Sequence, residues 1–348
     1  MTQNRDLRFE ALDGLRLVCA LWVMLSHFGP PPIHFTFGMF AGHALTIESM
    51  FKSVFCGTAA VVAFFIISGF CIHLPYVSGK TLAVKNFYVA RLVRIGAPMI
   101  VAGTAAKVLP NGTYELDAVL WSLYSEILYY FGYPAILRVA RKGGLPHLTA
   151  IAFLMALVVN LIPDDTHGYF WSNGIILTTL RGLPIWLLGC IIAQFYASSS
   201  RSPTSLRILG LAGVRQTLRV LIVLANAIAL ILHFLTPLHY KWSMLPFAIL
   251  CALWIVAELE ASASRTIFTR VAPLGRASYS LYLTHKLAIP VVAVMYSSLA
   301  GAQYWIALLC IAIILTNLMY FMFETPAHRL SRAIGRNWMK RQNDPVIT

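Results

Sequence analysis

The chain has 348 residues, of which 59% are hydrophobic and only 11% are charged, and its mean hydropathy is +0.73. Soluble domains carry about 25% charged residues, so this composition excludes a soluble globular protein. The formal net charge of +14 does not call for a nucleic-acid partner, because no soluble domain is long enough to present a basic binding face.

Predominantly apolar segments of about 20 residues recur along the whole chain, as transmembrane helices require. In chain order they are residues 10–28, 54–77, 88–108, 117–139, 147–163, 174–196, 219–236, 240–258, 278–298 and 303–323. The first lacks a small-residue cleavage site after a short apolar core, so we expect it to be retained as an anchor. The pattern predicts an all-α, polytopic membrane helix bundle of about ten transmembrane helices.

Lysine and arginine are distributed unevenly between the predicted loops. The outer segments contain only Lys52, Lys107 and Lys241, whereas the other basic residues outside the helices fall in inner segments. Because cytoplasmic loops are enriched in Lys and Arg, we expect both termini in the cytoplasm. The same basic excess attracts anionic membrane lipids.

The chain is expected to form a single transmembrane domain over residues 1–348. A helical bundle occupies about 8–330, and a basic cytoplasmic tail covers about 331–348. The inner loop at 197–218, which contains "SSSRSP", is expected to be a flexible linker. We expect no appended soluble domain. The sequence is compatible with a homo-oligomer as well as with a monomer.

The first apolar segment, "LDGLRLVCALWVMLSHFG", contains Arg16 near its start and His27 near its end. Eleven residues at 100° each bring the two side chains to one helix face, about 16 Å apart along the axis. Asp13 stands three residues before Arg16 and is expected to pair with it. Two interpretations stay open at this point: a functional site, or a structural ion pair with an interfacial histidine.

Other ionisable residues also fall within apolar segments. Each costs about 2.5–3.5 kcal/mol on insertion, so each is a candidate functional residue. They are Glu126, Arg181, His233, His285, Lys286 and Glu324. The six cysteines form no CxxC pair, so we expect no metal and no disulfide.

Several segments, in the same order, resemble the signatures of the acyltransferase family 3 membrane proteins. They are "LDGLRLVCALWVMLSHF" with its Arg-x10-His pair, "FFIISGFCI" (64–72), "FYVARLVRIGAP" (87–98), "LWSLYSEILYYFGYP" (120–134), "LGRASYSLYLTH" (274–285) and "FETPAHRL" (323–330). The resemblance runs from about residue 8 to about residue 330.

The resemblance implies an integral membrane enzyme of the bacterial cytoplasmic (inner) membrane. Such an enzyme moves an acyl group, usually acetyl, from coenzyme A to a hydroxyl, commonly on an extracytoplasmic sugar or polysaccharide. Two departures stand out. Only Glu126, preceded by Ser125, occupies a position where members often have a glutamate pair. The soluble C-terminal domain of some members is also absent, which favours direct transfer or a separate partner protein.

The chemistry of acetyl-CoA assigns roles to several residues. Arg91 and Arg94, at i and i+3, are expected to bind its phosphates, because guanidinium forks match phosphate. Arg16 guides the donor, and His27 acts as general base or as the nucleophile that carries the acyl group. Glu126 is expected to set the imidazole tautomer of His27.

The remaining polar and aromatic candidates have two interpretations each. Ser68 either contacts the donor or accompanies Gly69 where helices approach closely. Arg181 needs a buried partner, either a carboxylate or the donor. Three aromatic residues either stack on the sugar acceptor or belong to an interfacial belt: Trp121, Tyr129 and Tyr130.

Tyr279, Tyr282 and His285, spaced at i, i+3 and i+6, are expected to be helix packing on the inner half of the membrane. A membrane transporter, or a lipid-binding or acyl-binding protein that uses the intramembrane Arg, His and Glu as a relay, is the alternative function.

Both termini and the 197–218 loop are predicted to face the cytoplasm, because the basic residues concentrate on that side. Cysteine-labelling from outside intact cells should therefore leave cysteines placed at either terminus unmodified and should modify one placed near Lys107. Labelling of either terminus from outside would contradict this topology.

Overall fold

The computed structural model describes residues 2–32, 50–51, 54–163, 169–171, 173–198, 208–262, 266–296 and 298–343, with side chains between residues 10 and 334. Within these ranges the regular structure is helical and contains no strand. Apolar segments in lipid must satisfy their backbone hydrogen bonds internally, and a helix does so within one segment.

Every predicted segment is helical. The elements in chain order are α1 (Thr2–Phe28), α2 (Gly57–Val77), α3 (Val84–Val108), α4 (Gly112–Arg141), α5 (Leu145–Asn160), α6 (Gly174–Ser198), α7 (Ala212–Leu235), α8 (Tyr240–Ala261), α9 (Ile267–Gly275), α10 (Ser278–Thr284), α11 (Ala288–Met295), α12 (Gly301–Met319) and α13 (Thr325–Asn343). A 3-10 turn, His285–Leu287, joins α10 to α11, and a π turn, Tyr320–Glu324, joins α12 to α13.

Seven helical stretches in the described residues are long and apolar enough to cross a membrane: Glu10–Phe28, α2, α3, α6, α7, α8 and Gly301–Ile334. Three other predicted segments differ from a regular span. Helix α4 has 30 residues and carries carboxylates and arginines, α5 has only 16 residues, and the 278–298 segment is broken at the 3-10 turn. The prediction of an all-α polytopic membrane protein is confirmed, while the side of each terminus stays a prediction.

Helix α2 lies at the centre of the bundle and packs against α1, α4, α6 and α8. Two glycines allow its backbone to meet that of α6. A Cβ at Gly69 would lie 2.0 Å from the carbonyl oxygen of Trp186, and a Cβ at Gly189 would lie 2.0 Å from that of Ile66. Small residues at such crossings allow membrane helices to approach closely.

The outer surface of the bundle is apolar. Large hydrophobic side chains are exposed on several helices, among them Ile100, Leu154, Leu224, Ile228, Ile313 and Ile314. A contiguous apolar surface of this kind would be covered by lipid in a membrane, so it agrees with the sequence-based assignment.

Two helices lie outside the predicted segments. Helix α9 begins with a capping box between Thr266 and Thr269 and packs against α1. Its nine residues are too few for a periodic apolar pattern to be recognised. Helix α13 packs against α3 and continues to Asn343, so the predicted basic tail starts inside a helix. The predicted 197–218 loop contains the end of α6 and the start of α7, and its residues 199–207 lie outside the described residues.

Gly69→Ala should destabilise the protein, because the added methyl group collides with the backbone of α6 and not with a flexible side chain. Overpacking of this kind costs about 1–3 kcal/mol. Thermal unfolding in detergent measures the effect. The matched control is Gly103→Ala on α3, where a Cβ meets nothing within 4 Å. If the two variants unfold at the same temperature, the close contact between α2 and α6 is wrong.

Candidate active site

A cavity of about 860 Å³ lies within the bundle, among α1, α2, α3, α4, α10 and α13. This volume is within the range of small-molecule sites, about 300–1,000 Å³. Its wall contains more cationic than anionic side chains: Arg16, Arg91, Arg94, Arg276, Arg329 and Arg332 against Asp13, Glu126 and Glu324. The charge balance therefore favours an anionic ligand.

Helices α1 and α3 bring three of the four arginines proposed for the donor into this one cavity, namely Arg16, Arg91 and Arg94. Arg16 donates from Nη1 to Asp13 Oδ1 at 3.2 Å, the expected i,i+3 pair. Arg91 and Arg94 lie one helical turn apart on α3, and the guanidinium carbon of Arg91 is 5.8 Å from the ring centre of Tyr130. This stacking and the ion pair hold two of the three cations in place.

A hydrogen-bonded network on α2 and α4 fixes Glu126 in the cavity wall. Its Oε1 accepts from the Ser68 hydroxyl at 2.5 Å and from the Tyr130 hydroxyl. Ser68 in turn accepts from Trp186 Nε1 at 3.2 Å. Oε2 of Glu126 makes no hydrogen bond to a residue that the structure describes. Ser68 therefore contributes to the cavity, and its neighbour Gly69 provides the close helix contact.

The π turn carries a second carboxylate into the cavity. Glu324 is buried, and its Oε2 accepts from the backbone N–H of Ser280 at 3.2 Å and from the Ser280 hydroxyl at 2.5 Å. Its Oε1 lies 3.6 Å from His328 Nε2. Turns of this kind recur at functional sites.

His27 lies at the C-terminal end of α1, about three turns beyond Arg16, and is exposed. Its Nδ1 is 2.8 Å from Nε2 of His285, and the two ring planes differ by 11°. His285 is fully buried, and its Nδ1 is 3.1 Å from the carbonyl oxygen of Leu281. The histidine pair thus joins α1 to the break between α10 and α11.

One residue, Tyr282, connects the cavity wall to this histidine pair. It lines the cavity, its hydroxyl is 2.7 Å from Ser122 Oγ, and its ring centre is 6.2 Å from that of His285. Phe64 packs edge-on against Tyr282 at 5.6 Å and also lines the cavity. The far end of the cavity from the arginines of α3 and α13 is therefore next to the partner of His27.

The structure changes the partner expected for His27. We expected Glu126 to contact its imidazole, but no hydrogen bond joins the two in the part of the chain that the structure describes. Glu126 bonds to Ser68 and Tyr130, whereas His285 occupies the position next to Nδ1 of His27. The sequence analysis predicted one continuous helix over residues 278–298. The 3-10 turn at His285–Leu287 interrupts that helix and brings His285 toward α1.

Arg181 is fully buried and lies apart from the residues that line the cavity. Its described hydrogen bonds run from Nε to Asn160 Oδ1 (3.0 Å), from Nη2 to Asn173 Oδ1 (2.7 Å) and from Nη1 to the Phe170 carbonyl (3.4 Å). These contacts give Arg181 a structural role at the start of α6 and do not bring it to the donor cavity.

The three aromatic residues proposed for the acceptor lie in different environments. Tyr129 is buried, and its hydroxyl donates to the Thr179 carbonyl at 2.9 Å, so it has no free face for a sugar. Tyr130 lines the same cavity as the arginines. Trp121 is partly buried and packs 5.3 Å from the ring of Trp171, which is exposed.

The sequence analysis assigned three residues of the site to helix packing: Tyr279, Tyr282 and His285. We expected helix packing on the inner half, but both tyrosines line the cavity and His285 contacts His27. A signal was present, because His285 and Lys286 are adjacent ionisable residues in an apolar segment. Lys286 pairs with Glu115 at 2.7 Å.

Comparisons with known proteins identify the family of the chain. The model of the acyltransferase domain family (acyltransferase 3) matches residues 9–321. The exopolysaccharide production protein ExoZ of Rhizobium meliloti (strain 1021) is 24% identical over 330 residues, covering 84% of this chain and 93% of ExoZ. No solved structure matches the chain.

The fold and the cavity define a polytopic membrane protein with an internal, arginine-lined site. The family match covers nearly the whole bundle, so the chain belongs to the acyltransferase 3 family of membrane acyltransferases.

Proposed function

We propose that the protein is a membrane O-acyltransferase that transfers acetyl from acetyl-CoA to a hydroxyl of an extracytoplasmic sugar or polysaccharide. The observation that carries the proposal is one cavity whose wall has a cationic end and an end next to the His27–His285 pair. A donor with an anionic head and a reactive tail matches both ends.

The arginines support the choice of coenzyme A as donor. Coenzyme A is made in the cytoplasm and carries phosphates. In the predicted topology, the arginines of α3 and α13 lie on the cytoplasmic side of the membrane. Guanidinium groups stay charged and bind phosphate through paired donors. Ser68 and Tyr130 line the path beyond the arginines, where the uncharged arm would lie, so Ser68 stays among the proposed donor contacts.

His27 supplies the chemistry. As a general base, it removes the proton of the acceptor hydroxyl while the new O–C bond forms and the C–S bond breaks. The same proton then passes to the departing thiolate, which leaves as coenzyme A. As a nucleophile, the imidazole takes the acetyl group first and passes it to the hydroxyl. Both routes use one unprotonated ring nitrogen on an exposed side chain.

The name of one relative supports the choice of acceptor. The name of ExoZ associates that relative with exopolysaccharide production, which favours an extracellular polysaccharide or its lipid-linked precursor here. Trp121 and Trp171 form a ring pair and are the aromatic residues that we propose for sugar stacking. A bacterial cytoplasmic membrane has the donor on one side and such glycans on the other.

The direct test uses the purified protein in lipid nanodiscs with acetyl-CoA labelled in the acetyl group. We expect label on a supplied polysaccharide, or slow release of labelled acetate when no acceptor is present. Purified wild-type protein that binds the donor but neither transfers nor hydrolyses it would contradict the enzyme assignment. That result would favour the transporter or acyl-binding alternative.

Arg91→Ala and Arg94→Ala should each weaken coenzyme A binding by about 1.5–3 kcal/mol, the range for hydrogen bonds to charged groups. The loss should appear mainly in apparent donor affinity, because the contact exists in ground and transition states alike. Binding of labelled coenzyme A to nanodiscs measures it. The control is Arg138→Ala, an exposed arginine of α4 outside the cavity. If all variants bind coenzyme A with the affinity of the wild type, the arginines of α3 do not bind the donor.

His27→Ala should lower transfer by at least the 10²–10⁴-fold that general acid–base catalysis contributes, while donor binding and thermal stability stay near wild type. Acetyl transfer is measured together with coenzyme A binding on the same samples. His147→Ala, at an exposed histidine near the start of α5, is the control for losing an imidazole. Near-wild-type transfer by the His27→Ala protein would show that His27 is not catalytic.

A further inference from the structure

The hydrogen-bond chain at the end of α1 determines which nitrogen of each histidine carries its proton. A carbonyl oxygen only accepts, so Nδ1 of His285, which faces the Leu281 carbonyl at 3.1 Å, must carry a hydrogen. A neutral imidazole has one N–H and one acceptor nitrogen. Nε2 of His285 is then the acceptor, and Nδ1 of His27, 2.8 Å away, must carry the hydrogen between them.

The charge state of His285 follows from its surroundings. It is fully buried, and the next residue, Lys286, already carries a positive charge paired with Glu115. No carboxylate accepts a hydrogen bond from His285 within the described residues. A second, unpaired cation at this position would be expensive to bury, so we take His285 as neutral.

We infer that His285 is a positioning residue that keeps the proton of His27 on Nδ1 and so makes Nε2 its reactive nitrogen. The inference rests on the proposed function and adds to it the residue that selects the tautomer. In serine proteases an aspartate holds the catalytic histidine in its tautomer, and replacing it by asparagine lowers kcat by about 10⁴. Here a second histidine accepts the Nδ1 hydrogen.

The burial of the two rings fits this division of work. His285 is held by its bond to Leu281 and by ring contacts with Phe28 at 6.3 Å and Tyr282 at 6.2 Å. His27 is exposed at the end of α1, where an acceptor can reach Nε2. A buried ring that is held by several contacts thus orients an exposed one.

The proton balance is the same in both routes of the proposed reaction. When His27 acts as a base, the hydroxyl proton moves to Nε2 as the O–C bond forms and the C–S bond breaks, and it leaves with the thiolate. When it acts as a nucleophile, the acetyl carbon first bonds to Nε2 as the C–S bond breaks. The acceptor oxygen then bonds to that carbon as the C–Nε2 bond breaks, and the hydroxyl proton ends on the thiolate. In both routes Nδ1 of His27 keeps its hydrogen and donates it to Nε2 of His285, and this hydrogen bond stabilises the positive charge that builds up on the His27 ring.

The first arm of the test reads the tautomer directly in the wild-type protein. Nitrogen-15 NMR of protein labelled at histidine distinguishes protonated from bare ring nitrogens, and the His27→Ala spectrum identifies the signals of His27. We expect a protonated Nδ1 and a bare Nε2. A hydrogen on Nε2 of neutral His27 would overturn the inference whatever the activity, and this arm needs no His285 variant that folds.

The second arm measures activity. His285→Phe removes the acceptor and should lower kcat by about 10²-fold or more with little change in apparent donor affinity. His285→Gln should recover part of the rate, because its amide oxygen accepts from His27 while its amide N–H donates to Leu281. The control is His73→Phe, a fully buried histidine of α2 whose Nδ1 faces the Tyr133 hydroxyl. It should lose stability without this selective loss of kcat.

A double variant separates positioning from general damage. In a His27→Ala background, His285→Phe should lower the residual transfer by less than about 2-fold, because residues that act as a unit are not additive. An equal loss in both backgrounds would overturn the inference and leave the proposed function intact. An inactive wild type, or a fully active His27→Ala protein, would instead overturn the proposed function or the catalytic role of His27, and the inference with it.

Discussion

The main physical constraint on the structure is that cationic side chains have to be accommodated inside a bundle whose outer surface is apolar. Each arginine at membrane depth is expensive on its own, yet six of them line one cavity with only three carboxylates. Asp13 pairs with Arg16, and the ring of Tyr130 lies beside Arg91. The remaining positive charge is tolerable because the cavity admits water or an anion. A bound anion would therefore supply the negative charge that balances the arginines of the site.

The elements that depend on local pattern were predictable from the sequence. Each candidate membrane-spanning helix coincides with an apolar segment of bilayer length. This follows because the backbone of a segment in lipid has to satisfy its hydrogen bonds internally, which a helix does. The i,i+3 spacing anticipated both the Asp13–Arg16 pair and the neighbouring Arg91 and Arg94. These contacts lie within one helix, where spacing determines geometry.

The contacts that were missed all depend on departures from a straight helix or on packing between distant segments. The 3-10 turn at His285 brings its ring to His27, 258 residues earlier in the chain, and no periodic rule reports such a break. Burial likewise decided that Tyr129 faces the core and that Arg181 bonds to amide oxygens. A sequence shows that such residues are costly to bury, but only the fold shows what compensates them.

The π turn at Tyr320–Glu324 has a consequence for how the family can vary here. A π turn holds one residue more than an α-helical turn, so its five residues rotate the chain about as far as four α-helical residues at 100° each. Removing one residue while restoring regular winding would therefore keep His328, Arg329 and Arg332 on the cavity wall. Regular winding without that deletion would rotate α13 by about 100° and take all three off it. Evolution at this point should accordingly tolerate the loss of one residue together with the π turn, since an ordinary α-helical turn would present the same cationic face of the last helix.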